Sequence, residues 1–326
     1  MVRRRPEESD IRIRPAKSTR RRSKDRPSHS DSIAAQVITV DRGRTLCRIA
    51  SGQLVSAMKA RELGKNSVVV GDLVNIVGDV SGDTGSLARI VAVQPRRNSL
   101  SRTIDDAGAF EKTIAANLDQ MIIVAASADP SPRQGFIDRC LAVAFDQGIK
   151  PIIVMSKADL ADPDEFLSAY KDLEVEYLKL KRGDDLTQLH KILEAKVSVL
   201  IGHSGVGKST LVNALLGIEK RDTGDVNLTT GRGRHTSSSA ISFELPNGGW
   251  IIDTPGVRSF GLEHIDKSRV IASFTEFESV IASCPKNCSH DEATCALNNY
   301  VKASPQASSR LASLQRLLDS SSQEII

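Results

Sequence analysis

The apolar positions of this chain change rhythm twice. From about residue 34 to 97 they come in short runs: Val37-Ile38-Thr39-Val40, Leu46-Cys47-Arg48-Ile49, Val68-Val69-Val70, Leu73-Val74-Asn75-Ile76 and Ile90-Val91-Ala92-Val93. Gly, Asp, Asn and Ser cut these runs apart. Five or so short strands in that length predict a small OB-type β-barrel. From about residue 117 the strands become continuous apolar runs, at 120–125 and 151–155, and alternate with helical stretches at 133–148, 163–172 and 185–194. A further strand at 196–201 runs into a glycine loop, and Leu211 onward reads as a helix. Residues 240–245 and 249–252 predict a hairpin turning at Pro246-Asn247-Gly248. Such alternation predicts a mostly parallel, doubly wound α/β sheet. Beyond about 263 the chain is helical and polar. The expected division is a tail at 1–33, a barrel at 34–100, an α/β domain at 101–263, and a helical domain ending in a C-terminal helix at 264–326.

Composition changes this picture at both ends. The net charge is +4, yet residues 1–30 alone hold eleven Lys and Arg against four Asp and Glu. That surplus of seven leaves the rest of the chain net acidic by three. The head is rich in Pro and Ser and poor in apolar residues, so it is expected to be disordered. A basic tail on a near-neutral body suits a polyanion such as RNA, or serves to solubilise. The barrel has few aromatics to stack bases, so nucleic-acid binding there would lean on Arg96, Arg97 and Arg102; a purely structural barrel is the alternative. No apolar run approaches the length of a membrane span and no signal-peptide pattern follows the N-terminus, so a cytoplasmic protein is expected. In that compartment the five cysteines do not suggest a disulfide framework.

Candidate chemistry begins at Gly202-His203-Ser204-Gly205-Val206-Gly207-Lys208-Ser209-Thr210, a GxxxxGKS loop between a strand and a helix. Gly202 and Gly207 let the backbone curl so that N–H groups face phosphate oxygens, and the helix adds its positive end. Lys208 can reach the β- and γ-phosphates, and the Ser209 hydroxyl can ligate Mg²⁺. This marks a nucleotide-binding protein. Ser156-Lys157-Ala158-Asp159 follows a strand and is close to the NKxD guanine reader. There the Asp159 carboxylate accepts from guanine's paired donors, which adenine lacks, and the Lys157 stem covers the base. Ser156 departs from the usual Asn. Asp253-Thr254-Pro255-Gly256 ends another strand: Asp253 can hold the Mg²⁺ shell, and the Gly256 N–H can sense the γ-phosphate.

The order is unusual, because the base reader precedes both other segments. A permutation of this kind keeps the sheet and moves the chain ends. In this the sequence resembles the YjeQ/RsgA family of circularly permuted GTPases. The resemblance runs from about 35 to 300 and includes Ala116-Asn117-Leu118-Asp119-Gln120, Gly233-Arg234-His235-Thr236 and Asp253-Thr254-Pro255-Gly256-Val257-Arg258-Ser259-Phe260-Gly261. It implies an OB fold, a permuted GTPase domain, a zinc-binding domain, and GTP hydrolysis stimulated by the 30S ribosomal subunit during its late maturation. Partners would be the 30S subunit with its 16S rRNA, and GTP and GDP; the chain is expected to be a monomer, away from membranes. The family's SA-containing base cap should fall near Lys179-Leu180 and is not recognisable there.

Cys284-x3-Cys288-x-His290-x4-Cys295 offers three thiolates and an imidazole, a Cys₃His set suited to one structural zinc. Relative to the family, each of the two longer gaps is one residue shorter. Cys47 and Cys140 sit in apolar runs as core residues. Many GTPases place a water-orienting Gln directly after the DxxG glycine. Here that residue is Val257, which has no hydrogen-bonding group. His235 resembles the family's proposed catalytic histidine, the alternative being a loop histidine without a role. Thr236 is the chosen Mg²⁺-sensing threonine, with Thr230 next. A module that senses GTP through occupancy alone, or an RNA-binding protein with a vestigial GTPase domain, would share these motifs. Turnover separates them.

Overall fold

A computed structural model describes residues 29–41, 43–64, 67–104, 110–217, 240–254, 265–286, 288–290, 292–304 and 307–320. The chain divides into two compact units, residues 1–31 and 32–326. In the first, the described part is a turn in which the Ser30 hydroxyl donates to the Asp31 carboxylate at 3.0 Å. The rest of the basic head, residues 1–28, lies outside the described residues.

In the second unit, five strands close the predicted barrel: β1 (Ile33–Asp41), β2 (Arg44–Ile49), β3 (Leu54–Lys59), β4 (Leu73–Gly78) and β5 (Ala88–Val93). Their order is β1-β2-β3-β5-β4, and β4 pairs back onto β1. Alternate positions fill the interior: Ala35 and Val37, Cys47, Val55 and Ala57, Val74 and Ile76, Ala88 and Ile90. This is the period-two burial that a pleated strand imposes. Two expectations need correction. Val68-Val69-Val70 is buried but forms no strand; its one ladder contact is a bridge from Val70 to Ala115. The Val69 N–H donates instead to the buried Asp72 carboxylate, 2.8 Å away. The strand that takes its place in the barrel is β3, whose Ser56 and Ala57 weaken its β-signal while its burial alternates cleanly.

The stretch from 98 to 116 carries no clear periodicity in sequence. It forms a separate hairpin, β6 (Ser99–Ile104) and β7 (Phe110–Ala116). Then follow β8 (Gln120–Ala126), α1 (Gln134–Asp146), β9 (Lys150–Ser156), α2 (Asp164–Ser168), β10 (Glu176–Lys179), α3 (Thr187–Leu193), β11 (Val197–Ile201), α4 (Lys208–Leu215), β12 (Ile241–Glu244) and β13 (Trp250–Asp253). The sheet order is β10-β9-β8-β11-β13-β12, parallel except for β12. Short β10 was not legible in the pattern. Successive residues of β8 serve opposite faces. Met121, Ile123 and Ala125 pack toward α1, while Ile122, Val124 and Ala126 pack with Leu189 and Leu193 of α3 and Val212 and Leu215 of α4.

The sheet and the barrel are joined in two places. Thr39 of β1 pairs with Ile241 of β12, making one hydrogen-bonded sheet of eleven strands. Beside that seam Arg48 bridges to Glu244 at 3.0 Å and lies over the Trp250 ring at 5.3 Å. The second joint is Ala116-Asn117-Leu118-Asp119-Gln120. Asn117, at φ +58°, donates to Gly71 O (2.9 Å) and accepts from Arg97 N (2.9 Å). Asp119 accepts from Val197 N (2.8 Å), and Gln120 donates to Ile192 O (3.1 Å). Gly71 is required here, because a Cβ on it would lie 2.1 Å from Ala116 O. Two arginines expected to contact nucleic acid are committed to these joints. Arg96 grips Asp72 at 2.7 and 2.9 Å, and Arg97 pairs with Asp119 at 2.9 Å. Each of the two thus has an internal carboxylate partner, and Arg97 stays exposed.

The C-terminal part contributes α5 (Lys267–Ala272), α6 (Glu278–Ile281), α7 (Ala296–Ala303) and α8 (Ser308–Ser320). Leu311, Leu314, Leu317 and Leu318 recur at helical spacing on α8 and are buried in the same core as Phe136, Ile137 and Leu141 of α1. Each such leucine contributes about 1.5–3 kcal/mol by leaving water. Arg316 Nε lies 2.9 Å from the buried Asp138 Oδ2, off the line of a straight hydrogen bond, and its guanidinium lies over Tyr170 at 5.4 Å. Among the described residues no helix is long and apolar enough to cross a membrane.

Candidate nucleotide site and metal centre

The parallel strands β8, β9, β11 and β13 deliver their carboxyl ends to one edge, where ligands bind in open α/β sheets. At that edge β11 passes into the glycine loop. Gly202 must be glycine, since a Cβ would lie 2.3 Å from Val124 O. Gly205 and Gly207 adopt φ +82° and +91°, a region that side chains strain. Ser204, Gly205, Ser209 and Thr210 are exposed, whereas Val206 is buried and anchors the loop. Lys208 opens α4, and its ammonium donates to Gly202 O and, at 2.8 Å, to His203 O. The His203 ring packs on Phe136 with centroids 4.2 Å apart. Burial, then the charges of Arg133, Lys208 and Arg139, push its imidazole below the ordinary value.

Asp253 ends β13 opposite Leu200. Burial raises its carboxyl above the usual carboxylate range, with Lys208 opposing the shift. Burial likewise lowers the Lys208 ammonium, with Asp253 opposing. Two ionisable groups are thus held partly dry, each supported by the other. Thr254 donates to Leu200 O at 3.0 Å and fixes the start of the next segment.

The Ser156-Lys157-Ala158-Asp159 segment begins at the end of β9. The Ser156 hydroxyl reaches Val206 O at 2.6 Å and Ala125 O at 3.2 Å, so it bonds to the phosphate loop itself. Lys157, at φ +54°, donates to Asp129 O. Asp159 is exposed and makes no hydrogen bond to the described residues. Ala158 N donates to Leu180 O (3.1 Å) and Leu180 N to Met155 O (2.8 Å), which brings the backbone after β10 alongside Asp159. Sequence alone left this segment without a recognisable cap. The structure places its main chain where the cap was expected. Gly256, His235, Thr236, the runner-up Thr230 and Val257 lie outside the described residues.

The cysteine cluster does assemble. The ligand atoms of Cys284, Cys288, His290 and Cys295 all lie within 4.8 Å of one another. Cys284 Sγ to Cys295 Sγ, and each of these sulfurs to His290 Nδ1, measure 3.7 Å. A tetrahedron with metal–sulfur arms of about 2.3 Å has edges of about 3.8 Å. The donor set and its spacing therefore fit a tetrahedral metal such as zinc. Gln315 of α8 donates to His290 O at 2.7 Å and pins the site to the core.

A glycine loop on a central strand, with the Ser156-Lys157-Ala158-Asp159 segment ahead of it in the chain, is the arrangement of a circularly permuted P-loop GTPase. A sequence model described as RsgA GTPase matches residues 93–263. The chain belongs to the RsgA GTPase family and is a GTP-hydrolysing enzyme. A relative from Ectopseudomonas mendocina, named small ribosomal subunit biogenesis GTPase RsgA, is 40% identical over 242 residues, 71% of this chain and 69% of that protein. One of the same name from Shewanella oneidensis is 39% identical over 266 residues, covering 78% and 74%. Crystal structures share the fold. YjeQ from Thermotoga maritima gives a TM-score of 0.64 at 23% identity, covering 90% of this chain and all of that one. YloQ, titled a circularly permuted GTPase, gives 0.63 at 20% identity, covering 93% and 100%.

Proposed function

We propose that this protein is a cytoplasmic, monomeric GTPase that acts in late maturation of the 30S subunit. It binds the subunit through 16S rRNA in the GTP state and leaves after subunit-stimulated hydrolysis. The observation that carries this is the bond between Ser156 and the Val206 carbonyl, which unites a guanine reader and a phosphate loop in one pocket. The ribosomal role comes from the names of relatives about 40% identical to this chain.

In this reading Gly202, His203, Ser204, Gly205, Val206, Gly207 and Thr210 wrap the phosphates. Ser156, Lys157, Ala158 and Asp159 hold the base. Lys208 neutralises charge that develops on the β- and γ-oxygens. Ser209 and Thr236 would hold Mg²⁺ and Asp253 would support its waters; the metal would supply charge neutralisation at the phosphates. Gly256 senses the γ-phosphate, and His235 takes over the water-orienting task that Val257 has no group to perform. Cys284, Cys288, His290 and Cys295 hold one structural zinc. The working division is a barrel at 34–100, a GTPase domain at 101–263 and a zinc domain at 264–326, after a basic tail at 1–33.

The test is multiple-turnover phosphate release with and without purified 30S subunits. Slow basal turnover that rises steeply with the subunit is the expected result. Subunit binding that depends on GTP but gives no turnover would leave an occupancy sensor. Indifference to nucleotide would leave an RNA-binding protein with a vestigial GTPase domain.

A further inference from the structure

β12 is four residues long, and the barrel holds it at both ends. Its first residue, Ile241, pairs with Thr39 of β1. Its last, Glu244, is bridged by Arg48 of β2 at 3.0 Å, and the same guanidinium lies over the Trp250 ring at 5.3 Å. Glu244 and Trp250 are themselves cross-strand partners. One arginine of the barrel thus grips facing residues of β12 and β13.

The other end of this strand pair carries the chemistry. Ile241 lies opposite Asp253, and Asp253 lies opposite Leu200 of β11. Thr39, Ile241, Asp253 and Leu200 therefore form one row across the sheet, from the barrel to the strand that enters the glycine loop. Ile251 and Ile252, between Trp250 and Asp253, are fully buried. A short hairpin is marginal by itself and takes its order from what it is joined to. Here the barrel supplies a backbone pairing at one end and the Arg48 grip at the other. The ion pair is partly exposed, with 32% and 46% of its side chains open to solvent, and such pairs contribute little stability. The fold should survive its loss, so an effect at Asp253 can be read separately.

We propose that Arg48 is a positioning residue for the reaction: from the barrel it fixes β12 and β13 and so sets Asp253 toward the metal side of the nucleotide. This rests on the reading above that Asp253 supports the waters of Mg²⁺. No motif marks Arg48, because both of its partners come far later in the chain.

The test measures affinity for a fluorescent non-hydrolysable GTP analogue with and without Mg²⁺. It uses the full chain as wild type, Arg48→Met, Arg48→Lys and Asp253→Asn. Met keeps an unbranched stem without charge, and Lys restores a charge able to meet both Glu244 and Trp250. In the wild type Mg²⁺ should tighten the analogue, and Asp253→Asn should remove most of that gain. Arg48→Met should cut the gain roughly fivefold and leave metal-free affinity within about twofold, while Arg48→Lys should recover most of it. Trp250 is the one tryptophan of the chain, so its emission reports on the seam. It should change when Mg²⁺ joins the bound analogue in the wild type, and change less in Arg48→Met. An unmoved gain in Arg48→Met, equal loss with and without metal, Lys no better than Met, or the same Trp250 response in Arg48→Met as in the wild type would overturn the proposal. A lowered melting temperature with an unmoved gain would make the pair a surface contact alone, which overturns it too. If Asp253→Asn keeps the full gain, the Mg²⁺ assignment falls and this proposal with it. If Asp253→Asn loses the gain while Arg48→Met keeps it, this proposal falls alone.

Discussion

Ser156 and Val206, fifty residues apart in the chain, are joined by a 2.6 Å hydrogen bond from hydroxyl to carbonyl. The hydroxyl therefore ties the end of β9 to the glycine loop. Ser156→Ala should loosen the base reader from the phosphate loop without touching phosphate charge. GTP and GDP affinities should fall together, by roughly fivefold to tenfold for about 1 kcal/mol of lost hydrogen bond. Titration with both fluorescent nucleotides checks this, and a loss confined to one of them would contradict the assignment.

Asp159 is exposed and without a hydrogen bond to the described residues, and the reading proposed above makes it the acceptor for guanine's donors. Asp159→Asn replaces an acceptor with a donor on the side that meets guanine's own donors. The variant should exchange guanine for xanthine nucleotide. Competition between GTP and XTP measures the exchange, and unchanged GTP binding would place the base reader elsewhere.

Asp253 carries a cost in the nucleotide-free protein. Burial holds its carboxyl above the ordinary value, so the folded chain takes up its proton more readily than the unfolded chain does. That favours folding at low pH, and the advantage is lost as pH rises through the folded value. Asp253→Asn should therefore raise the melting temperature near pH 7, by about 2–4 °C for each kcal/mol relieved, while abolishing hydrolysis. The gain should shrink toward acid pH. Melts at two pH values decide it, and a variant less stable at pH 7 than wild type would show that the Lys208 pairing outweighs burial.

The cysteine cluster belongs to the same core as α1, since Cys295 and Leu297 are buried with Phe274, Leu311 and Leu314. Freshly purified protein should contain one zinc per chain. Chelation should reduce helical signal and lower the melting temperature, because metal-binding energy in so small a lobe is largely folding energy. Cys295→Ser should do the same without chelator. Metal analysis and circular dichroism give the answer, and metal-free protein with an unchanged melt would refute the site.

Much of this was legible because special chemistry leaves local marks. The glycine loop, the Ser156-to-Asp159 segment and the cysteine spacing each need particular residues in a fixed short register. The long apolar strands β8, β9 and β11 were equally plain. What escaped were elements defined by distant partners. β3 is built from small residues whose role appears only against β2 and β5, and the Val68-Val69-Val70 run fails as a strand because Asp72 captures its backbone. Arg96 and Arg97 look like free surface charges until Asp72 and Asp119 are brought beside them.

The shared core under α1 also sets an order of events during synthesis. The ribosome makes β8, α1 and β9 well before β11, which must then settle beside β8 and await β13 on its other side. α8, which packs on α1, is made later than all of these. A nascent chain that has finished its glycine loop therefore still lacks the α8 leucines that share a core with Ile137 and Leu141. Such an uncovered apolar face is a place where chaperones bind and aggregation begins. Permutation thus leaves the nucleotide pocket and the cover of its supporting helix to be completed by segments made well after that helix.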